Sequence, residues 1–340
     1  MDRALPLSLR DGALSGSESR EEGLALAETL VPSTADPEQV REAARVFAAQ
    51  SLPERAIETL RQGILTHPRQ ADLLVLLGDL LSRSGAHDEA GLYLRQAVEL
   101  EPQSADASFR LGLHHARRGH AEAARASYET AVRLDPMHVR AWVNLGLTRS
   151  DLGERKGAID ALRRAVNLDP ACSDARSNLG TLYAEWGMAE EALDEFRRAV
   201  ELSPQSAEAH FNLGWALLAD DELQEAEAML EASARLDPAS AEALYALAIL
   251  HLRIGAYARS VGELKRAIEI RPDDARLHYH LGVAYNNQDA ADQAIIALEN
   301  AARLRPEDPR IHRLMGVAYD KKELPLRARE AYRRAAALNG

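Results

Sequence analysis

The sequence has few aromatic side chains, a single cysteine and no long hydrophobic run. Aromatic residues are 5% of the 340 residues while hydrophobic residues are 46%, which predicts a core built mainly from alanine and leucine. A single cysteine, Cys172, excludes an internal disulfide. The longest apolar run, residues 243–250, falls far short of the roughly 20 residues that a membrane-spanning helix needs.

Basic residues are also fewer than acidic residues. The chain has 41 lysines and arginines against 53 acidic residues, a formal net charge of -12, which argues against a DNA or RNA partner because phosphate binding depends on clustered cations. The amino-terminal sequence MDRALPLSLRDG contains an apolar stretch that is interrupted by Pro6 and ended by Arg10 and Asp11, which is too short to predict an export signal. We therefore expect a soluble, cytoplasmic protein without membrane contact.

The patterns of enzymes and metalloproteins are missing as well. The histidine pair at His114 and His115 and the pair at His278 and His280 lack the i, i+4 spacing that places two metal ligands on one helical face. The sequence has no glycine-rich phosphate loop and no GxSxG motif. It therefore predicts no catalytic activity, no cofactor and no metal.

A strict repeat is present instead. Eight prolines are spaced 34 residues apart, at Pro68, Pro102, Pro136, Pro170, Pro204, Pro238, Pro272 and Pro306. Numbering each proline as position 32 gives nine repeats, which begin at Pro37, Ala71, Ala105, Val139, Ser173, Ala207, Ala241, Ala275 and Pro309. The last repeat stops at Gly340, two residues short.

Each repeat reads as a helical hairpin. Position 8 is glycine or alanine and position 20 is alanine or serine, and small residues on two successive helices permit a close antiparallel crossing. Apolar residues within a repeat follow helical spacing, as at Ala158, Leu162 and Ala165. Glycine at position 15 in five repeats is predicted to end the first helix, and the position-32 proline to end the second.

The segment WVNLG at residues 142–146, the alanine at position 20 and the LDP that ends at Pro170 resemble the tetratricopeptide repeat. The resemblance implies an all-α, right-handed superhelical solenoid of antiparallel helix pairs over residues 37–340. It also implies that the first helix of each hairpin lines a concave surface where partner segments bind. Residues 1–20 are predicted to be disordered, and residues 21–36 to form a short capping helix and linker or, alternatively, a helix that docks in a groove of its own or a neighbouring chain.

By this resemblance, positions 2, 5, 6, 9, 12 and 13 of the first helix face the groove. Position 6 is asparagine in three consecutive repeats, and an amide can both donate to and accept from a peptide backbone. These residues, Asn144, Asn178 and Asn212, are predicted to form a ladder that holds a peptide, with His280 in the same position two repeats later. The alternative is that these asparagines only cap or bridge neighbouring helices.

Positions 5 and 9 add an apolar wall to the predicted groove; the alternative is that an aromatic of this set packs against its neighbouring hairpin instead of facing a ligand. Its residues are Phe109 and Leu113, Val143 and Leu147, Phe211 and Trp215, Tyr245 and Ile249, and Tyr279 and Val283. Arg276, Arg310, Arg313 and Lys321 gather toward one end of the groove, and Asp72, Asp79 and Asp106 lie nearer the other. This arrangement predicts a charge gradient that orients a bound peptide, unless the charges are only solvated surface.

The sequence therefore predicts an interaction adaptor that binds a segment of a partner protein in its groove. No window supplies the lysine and asparagine set with which some family members grip the acidic tail of heat-shock chaperones. The alternative function is a self-assembling scaffold, because the last hairpin is not followed by the polar helix that often covers it in this family, and exposed repeat ends stack on similar surfaces.

Overall fold

The computed structural model describes residues 36–338, and this range contains 18 helices and no strand. The predicted tail at 1–20 and nearly all of the predicted capping segment at 21–36 lie outside the described residues. The chain divides into two compact bodies, one ending at Asp169 and the other beginning at Pro170. We call them the N-terminal body, residues 36–169, and the C-terminal body, residues 170–338, and describe each by itself.

The N-terminal body contains four helical hairpins. Its helices are α1 (Pro37–Ala49), α2 (Pro53–Thr66), α3 (Ala71–Arg83), α4 (His87–Leu100), α5 (Ala105–Arg117), α6 (Ala121–Leu134), α7 (Val139–Asp151) and α8 (Arg155–Leu168). Each odd-numbered helix is the first helix of a hairpin and packs antiparallel on the even-numbered helix that follows.

The C-terminal body contains five hairpins of the same kind. Its helices are α9 (Ser173–Glu185), α10 (Ala189–Leu202), α11 (Ala207–Ala219), α12 (Leu223–Leu236), α13 (Ala241–Arg253), α14 (Tyr257–Ile270), α15 (Ala275–Asn287), α16 (Ala291–Leu304), α17 (Pro309–Lys321) and α18 (Pro325–Leu338). All nine first helices of the chain begin at the residue where the proline period places the start of a repeat.

The helix ends follow from local sequence. Ser206 and Ser240 precede α11 and α13, and each hydroxyl accepts a hydrogen bond from a backbone N–H in the first turn, at 3.2 Å. Position 15 has a positive φ in every repeat, as at Gly255 with φ 77°. Four repeats reach the same conformation without glycine, among them Asp221 and Asp289, which the sequence pattern did not anticipate.

The hairpins close around the small residues at positions 8 and 20. A Cβ at Gly146 would lie 2.6 Å from Cγ of Leu162, so the leucine occupies the space that any larger residue would need. Ala158, at position 20 of the same repeat, is fully buried. The predicted close crossing is therefore confirmed, and the structure identifies the large side chain at position 24 as the group that fills it.

Within the C-terminal body, each second helix packs on the first helix of the next hairpin. In addition, successive first helices contact one another, from α9 through α11, α13 and α15 to α17. Successive second helices have no comparable contacts among the described residues. The first helices are therefore the more closely spaced layer and form the inner side of this stack.

Candidate functional site

The inner side of the C-terminal body carries most of the residues that the sequence analysis assigned to peptide binding. Positions 2, 5, 6 and 9 fall on one side of a helix because they are separated by one, three or four residues. On α11, for example, Phe211 and Asn212 are partly exposed and Trp215 is exposed, whereas Leu213 and Gly214 are buried. We call this surface the first-helix face; it consists of Asn178, Phe211, Asn212, Trp215, Tyr245, Ile249, Arg276, Tyr279, His280, Arg310 and Arg313.

The most exposed aromatic side chain of this face is Trp215. Its ring is stacked on that of Phe211 one turn earlier, with centroids 6.2 Å apart and planes inclined by 19°. Trp215 is 42% exposed although it is a large apolar residue. Ile249, at the equivalent position of α13, is partly exposed beside it along the stack. An exposed, stacked tryptophan of this kind offers a flat apolar surface to a ligand.

Three further rings form a cluster across α13 and α15. The His280 ring meets Tyr245 at 5.2 Å and Tyr279 at 5.0 Å, edge to face in both cases. His280 Nδ1 lies 2.8 Å from the backbone oxygen of Arg276, which fixes the ring. Burial lowers the pKa of His280 and raises that of Tyr245. Both side chains are therefore neutral at pH 7.

Arginines lie over the rings of this cluster in a recurring arrangement. The guanidinium carbon of Arg276 is 5.3 Å from the Tyr245 ring centroid, and that of Arg310 is 5.8 Å from the Tyr279 centroid. In the N-terminal body Arg140 lies 5.3 Å from the ring of Phe109. Each arginine follows its aromatic partner by 31 residues, which is a spacing that the sequence analysis missed and that could have revealed these pairs.

Acidic neighbours neutralise the two arginines of this cluster, Arg276 and Arg310. Arg276 Nη2 lies 2.7 Å from Asp274 Oδ2 and 3.0 Å from Glu242 Oε1, and Arg310 Nη2 lies 2.7 Å from Asp308 Oδ2. Hydrogen bonds from the arginines lower the pKa of both aspartates. The middle of the first-helix face is therefore close to neutral despite its arginines.

The predicted charge gradient is weaker than the sequence indicated, because most of its charges are paired. The pairs are Asp72 with Arg41, Asp79 with Arg110 and Arg117, Asp106 with Arg110, and Lys321 with Asp289. Arg313 is exposed and has no ion pair within the described part of the chain. It is the groove arginine whose charge stays available at the α17 end.

The three asparagines do not share one environment. Asn144 lies in the N-terminal body, and its amide donates to the backbone oxygen of Arg140 at 2.8 Å. Asn178 and Asn212 lie on neighbouring first helices of the C-terminal body and are half-buried, and their side-chain amides have no hydrogen bond within residues 36–338. The structure thus supplies two unpartnered amides on one surface, while a ladder that includes Asn144 stays a prediction.

The apolar wall expected in the N-terminal body is less accessible. Phe109 is only 1% exposed because it packs against Tyr128, with ring centroids 5.9 Å apart, and His138, at 4.7 Å. The prediction of an exposed aromatic at this position is therefore wrong. Of the remaining wall residues of this body, Leu113 and Val143 are partly exposed and Leu147 is exposed.

The other surfaces of the described residues were compared for a cleft, a metal site and a membrane-spanning helix. A cleft of about 320 Å³ lies between α16, α17 and α18, and none of the predicted binding residues lines it. Residues 36–338 contain no group of three or more histidine, cysteine, aspartate or glutamate side chains suited to a metal ion. No helix in that range combines the length and apolar character that crossing a membrane requires.

Comparison with known families decides the classification. Models described as tetratricopeptide repeat match residues 41–105, 91–136 and 109–171, and also 207–240 and 275–308. A model described as TPR repeat matches residues 182–221 and 252–289. Together these matches cover most of the sequence. The chain belongs to the tetratricopeptide-repeat family. Its members are generally protein-interaction scaffolds rather than enzymes.

Solved structures agree with the TPR fold. A tetratricopeptide repeat protein from Parabacteroides merdae matches with a TM-score of 0.56 and 18% identity over 73% of this chain and 98% of that one. PilF of Pseudomonas aeruginosa matches with a TM-score of 0.55 and 23% identity over 61% of this chain and 94% of that one. The Cut9–Hcn1 assembly matches with a TM-score of 0.59 and 17% identity over 89% of this chain and 59% of that one. At these identities the likeness shows the fold alone. No curated protein matches this TPR chain.

Proposed function

We propose that this protein is an adaptor that holds a peptide segment of a partner protein on the first-helix face of its C-terminal body. The observation that carries the proposal is the combination of an exposed Trp215 with two unpartnered amides, Asn178 and Asn212, on consecutive first helices. Aromatic anchors and backbone-directed amides are the two kinds of contact that peptide recognition requires.

The energetics of the face favour this use. An unpartnered, half-buried amide gains a hydrogen bond on binding and loses little hydration, so it stabilises a complex more than a fully solvated group does. The rings of Tyr245, Tyr279 and His280 are held by contacts with each other, and the arginines over them are fixed by Asp274 and Asp308. Such a surface is already ordered before a ligand arrives, which reduces the entropy cost of binding.

The proposal is tested with the double substitution N178A/N212A. Peptides that bind the wild-type chain are first selected from a random display library, and their dissociation constants are then measured by calorimetry. Loss of two hydrogen bonds is expected to weaken binding about tenfold. The helix content, measured by circular dichroism, is expected to stay unchanged because neither side-chain amide has a hydrogen bond within residues 36–338.

The matched control is Asn300→Ala on α16. Asn300 Nδ2 donates to the backbone oxygen of Ile296, and the residue lies on a second helix, away from the first-helix face. This variant is expected to bind the selected peptides as the wild type does. Adding Asn144→Ala to the double variant then measures whether the predicted third rung contributes. Wild-type affinity in N178A/N212A would show that these amides do not hold the ligand.

A self-assembling scaffold is the second candidate. Its support is the apolar exposure of the last hairpin, where Leu326 is 83% exposed, Val317 is 37% exposed and Tyr332 is 36% exposed. Light scattering over a range of concentrations separates the two candidates. A mass that stays at the monomer value at every concentration removes the scaffold, and ordered oligomers of the pure protein support it.

A further inference from the structure

The partner segment can be specified further from the chemistry of the first-helix face. We propose that this face binds a proline-rich segment in the polyproline II conformation, with a basic residue toward α9 and an acidic residue toward α17. This inference rests on the proposed adaptor function and names the class of its ligand.

The first argument is the ring surface. The middle of the face offers the stacked pair of Phe211 and Trp215, followed by Tyr245 and Tyr279 on the next two first helices. Proline-rich segments dock in aromatic-lined grooves, because the rigid pyrrolidine ring packs on a flat aromatic surface and the segment loses little entropy on binding. Beside these rings the middle of the face presents Ile249 and the side chains of Arg276 and Arg310, which lie over Tyr245 and Tyr279.

The second argument is spacing. A polyproline II helix has three residues per turn and a rise of about 3.1 Å per residue, so equivalent side chains recur about every 9 Å. Packed helices lie about 8–10 Å apart, and the successive first helices of this body are in contact. Every third residue of such a ligand would therefore meet an equivalent position on the next repeat. An α-helical ligand, with a pitch of about 5.4 Å, presents the same face again after two turns, at about 10.8 Å, which departs further from this spacing than a polyproline II turn does.

The third argument is the ligand backbone. A polyproline II segment has no internal hydrogen bonds, and its carbonyl groups are all free to accept. Asn178 and Asn212 each present an amide that has no partner within the described residues. Their NH₂ groups can donate to carbonyls of the ligand, including those of prolines, which have no N–H to offer in return. A face that reads the backbone through donors therefore suits a proline-rich chain.

The fourth argument is charge complementarity. Asp174 on α9 and Glu208 on α11 are exposed and have no ion pair in the part of the chain that the structure describes, while Arg313 on α17 is unpaired at the opposite end. Between them, Arg276 and Arg310 are neutralised by acidic neighbours. The face thus favours a ligand that is neutral in its middle, basic at one end and acidic at the other.

The test uses a synthetic oligoproline with a lysine at one end and a glutamate at the other. Its affinity for the full chain is measured by calorimetry and compared with that of an alanine-rich helical peptide of equal length and equal terminal charges. We expect the oligoproline to bind at least about tenfold more tightly. Trp215→Ala is expected to weaken this binding about tenfold, because a ring at a groove centre acts as a hot spot.

The control for Trp215→Ala is Ile296→Ala, which removes a 60% exposed apolar side chain from the second helix α16 and is expected to leave binding unchanged. Arg313→Glu tests the polarity. Compared with the wild type, this variant is expected to bind the original oligoproline less tightly. It is expected to bind an oligoproline whose glutamate is replaced by lysine more tightly than the wild type does.

The outcomes separate this inference from the proposed function. If a helical or extended peptide binds in a Trp215-dependent manner and the oligoproline does not, the adaptor function stands and the polyproline class is wrong. If the oligoproline binds equally well to the wild type and to W215A, the assigned surface is wrong. If no selected peptide of any class responds to W215A or N178A/N212A, both proposals fail.

Discussion

At the scale of single residues, two helical glycines of the C-terminal body have opposite surroundings. A Cβ at Gly214 would lie 2.7 Å from Cγ and 3.1 Å from the backbone nitrogen of Leu230, so there is no room for it. A Cβ at Gly262, on α14, would meet nothing within 4 Å. The first glycine is therefore required by the contact between two helices, and the second only weakens its helix.

These surroundings predict opposite effects of the same substitution. Gly214→Ala is expected to lower the free energy of unfolding by about 2 kcal/mol, because Leu230 and its backbone must move. Gly262→Ala is expected to raise it by up to about 1 kcal/mol through helix propensity. Urea unfolding monitored by circular dichroism measures both. A G214A variant as stable as G262A would show that the crossing of α11 and α12 can relax without cost.

The sequence predicted packing positions better than it predicted exposure. Positions 8 and 20 recur in almost every repeat, so their small size could be interpreted directly. Phe109 and Phe211 occupy the same position 5, yet only Phe109 is buried, because His138, the last residue of its own repeat, and Arg140 of the next repeat lie over it. The asparagines of position 6 likewise differ through one local bond to Arg140. The burial of Phe109 depends on residues at and just before α7, and the bond of Asn144 depends on a side-chain conformation within its own helix; a repeat consensus averages out both.

At the scale of helices, one polar contact joins three elements of the C-terminal body. His251 on α13 is 2% exposed, and its Nδ1 lies 2.8 Å from Glu263 on α14 while its Nε2 lies 3.2 Å from Glu227 on α12. Arg259 also reaches Glu227, at 2.9 Å. Burial opposes protonation of His251, but hydrogen bonds with the two glutamates outweigh it and raise its pKa. When it is protonated, this imidazole bridges two hairpins.

Removing this imidazole is expected to destabilise the body. His251→Gln leaves Glu263 without its cationic partner, and we expect it to lower the free energy of unfolding by about 2 kcal/mol at about pH 6. The loss is expected to shrink as pH rises, because the wild-type histidine then gives up its proton as well. Urea unfolding at a series of pH values measures this difference. A loss that is the same at every pH would mean that the positive charge carries none of the interaction.

The helix boundaries themselves were predictable from the sequence. The starts of the nine first helices coincide with the start of each 34-residue repeat, since proline and the position-15 turn fix where each helix can run. The division of the chain at Asp169 was not predicted, because the repeat pattern continues through Pro170 without a change of period.

At the scale of the whole molecule, the two bodies contain buried histidines that respond to pH in opposite directions. In the N-terminal body His114 is 2% exposed, and burial together with the nearby charges of His115, Arg118 and Arg95 lowers its pKa to about 4. The ring of His87 on α4 also faces it, at 6.3 Å. This histidine stabilises the fold only while it is neutral, whereas His251 stabilises its body only while it is protonated.

The sign of each effect follows from linkage between protonation and folding. The folded pKa of His114 lies below the unfolded value of about 6.5, so its contribution is complete above about pH 6.5 and is lost as pH falls toward 4, by up to about 3 kcal/mol. The folded pKa of His251 lies above the unfolded value, so its contribution is complete below about pH 6.5 and is lost as pH rises. Each body should therefore weaken at the pH that favours the other.

Hydrogen exchange of backbone amides, resolved by body, measures this opposition. Between about pH 7 and about pH 5, protection corrected for the intrinsic exchange rate is expected to fall in α3–α6 and to hold in α12–α14, and the reverse is expected as the pH rises above about 7. His280 in the C-terminal body has a lowered pKa, so its effect on stability changes with pH in the direction opposite to that of His251. The variants H114Q and H251Q are therefore compared with the wild type. H114Q should reduce the acid loss in the N-terminal body alone, where His115 also has a pKa lowered by burial, and H251Q should reduce the alkaline loss in the C-terminal body alone. A variant that changes both bodies equally would mean that the two unfold as one cooperative unit.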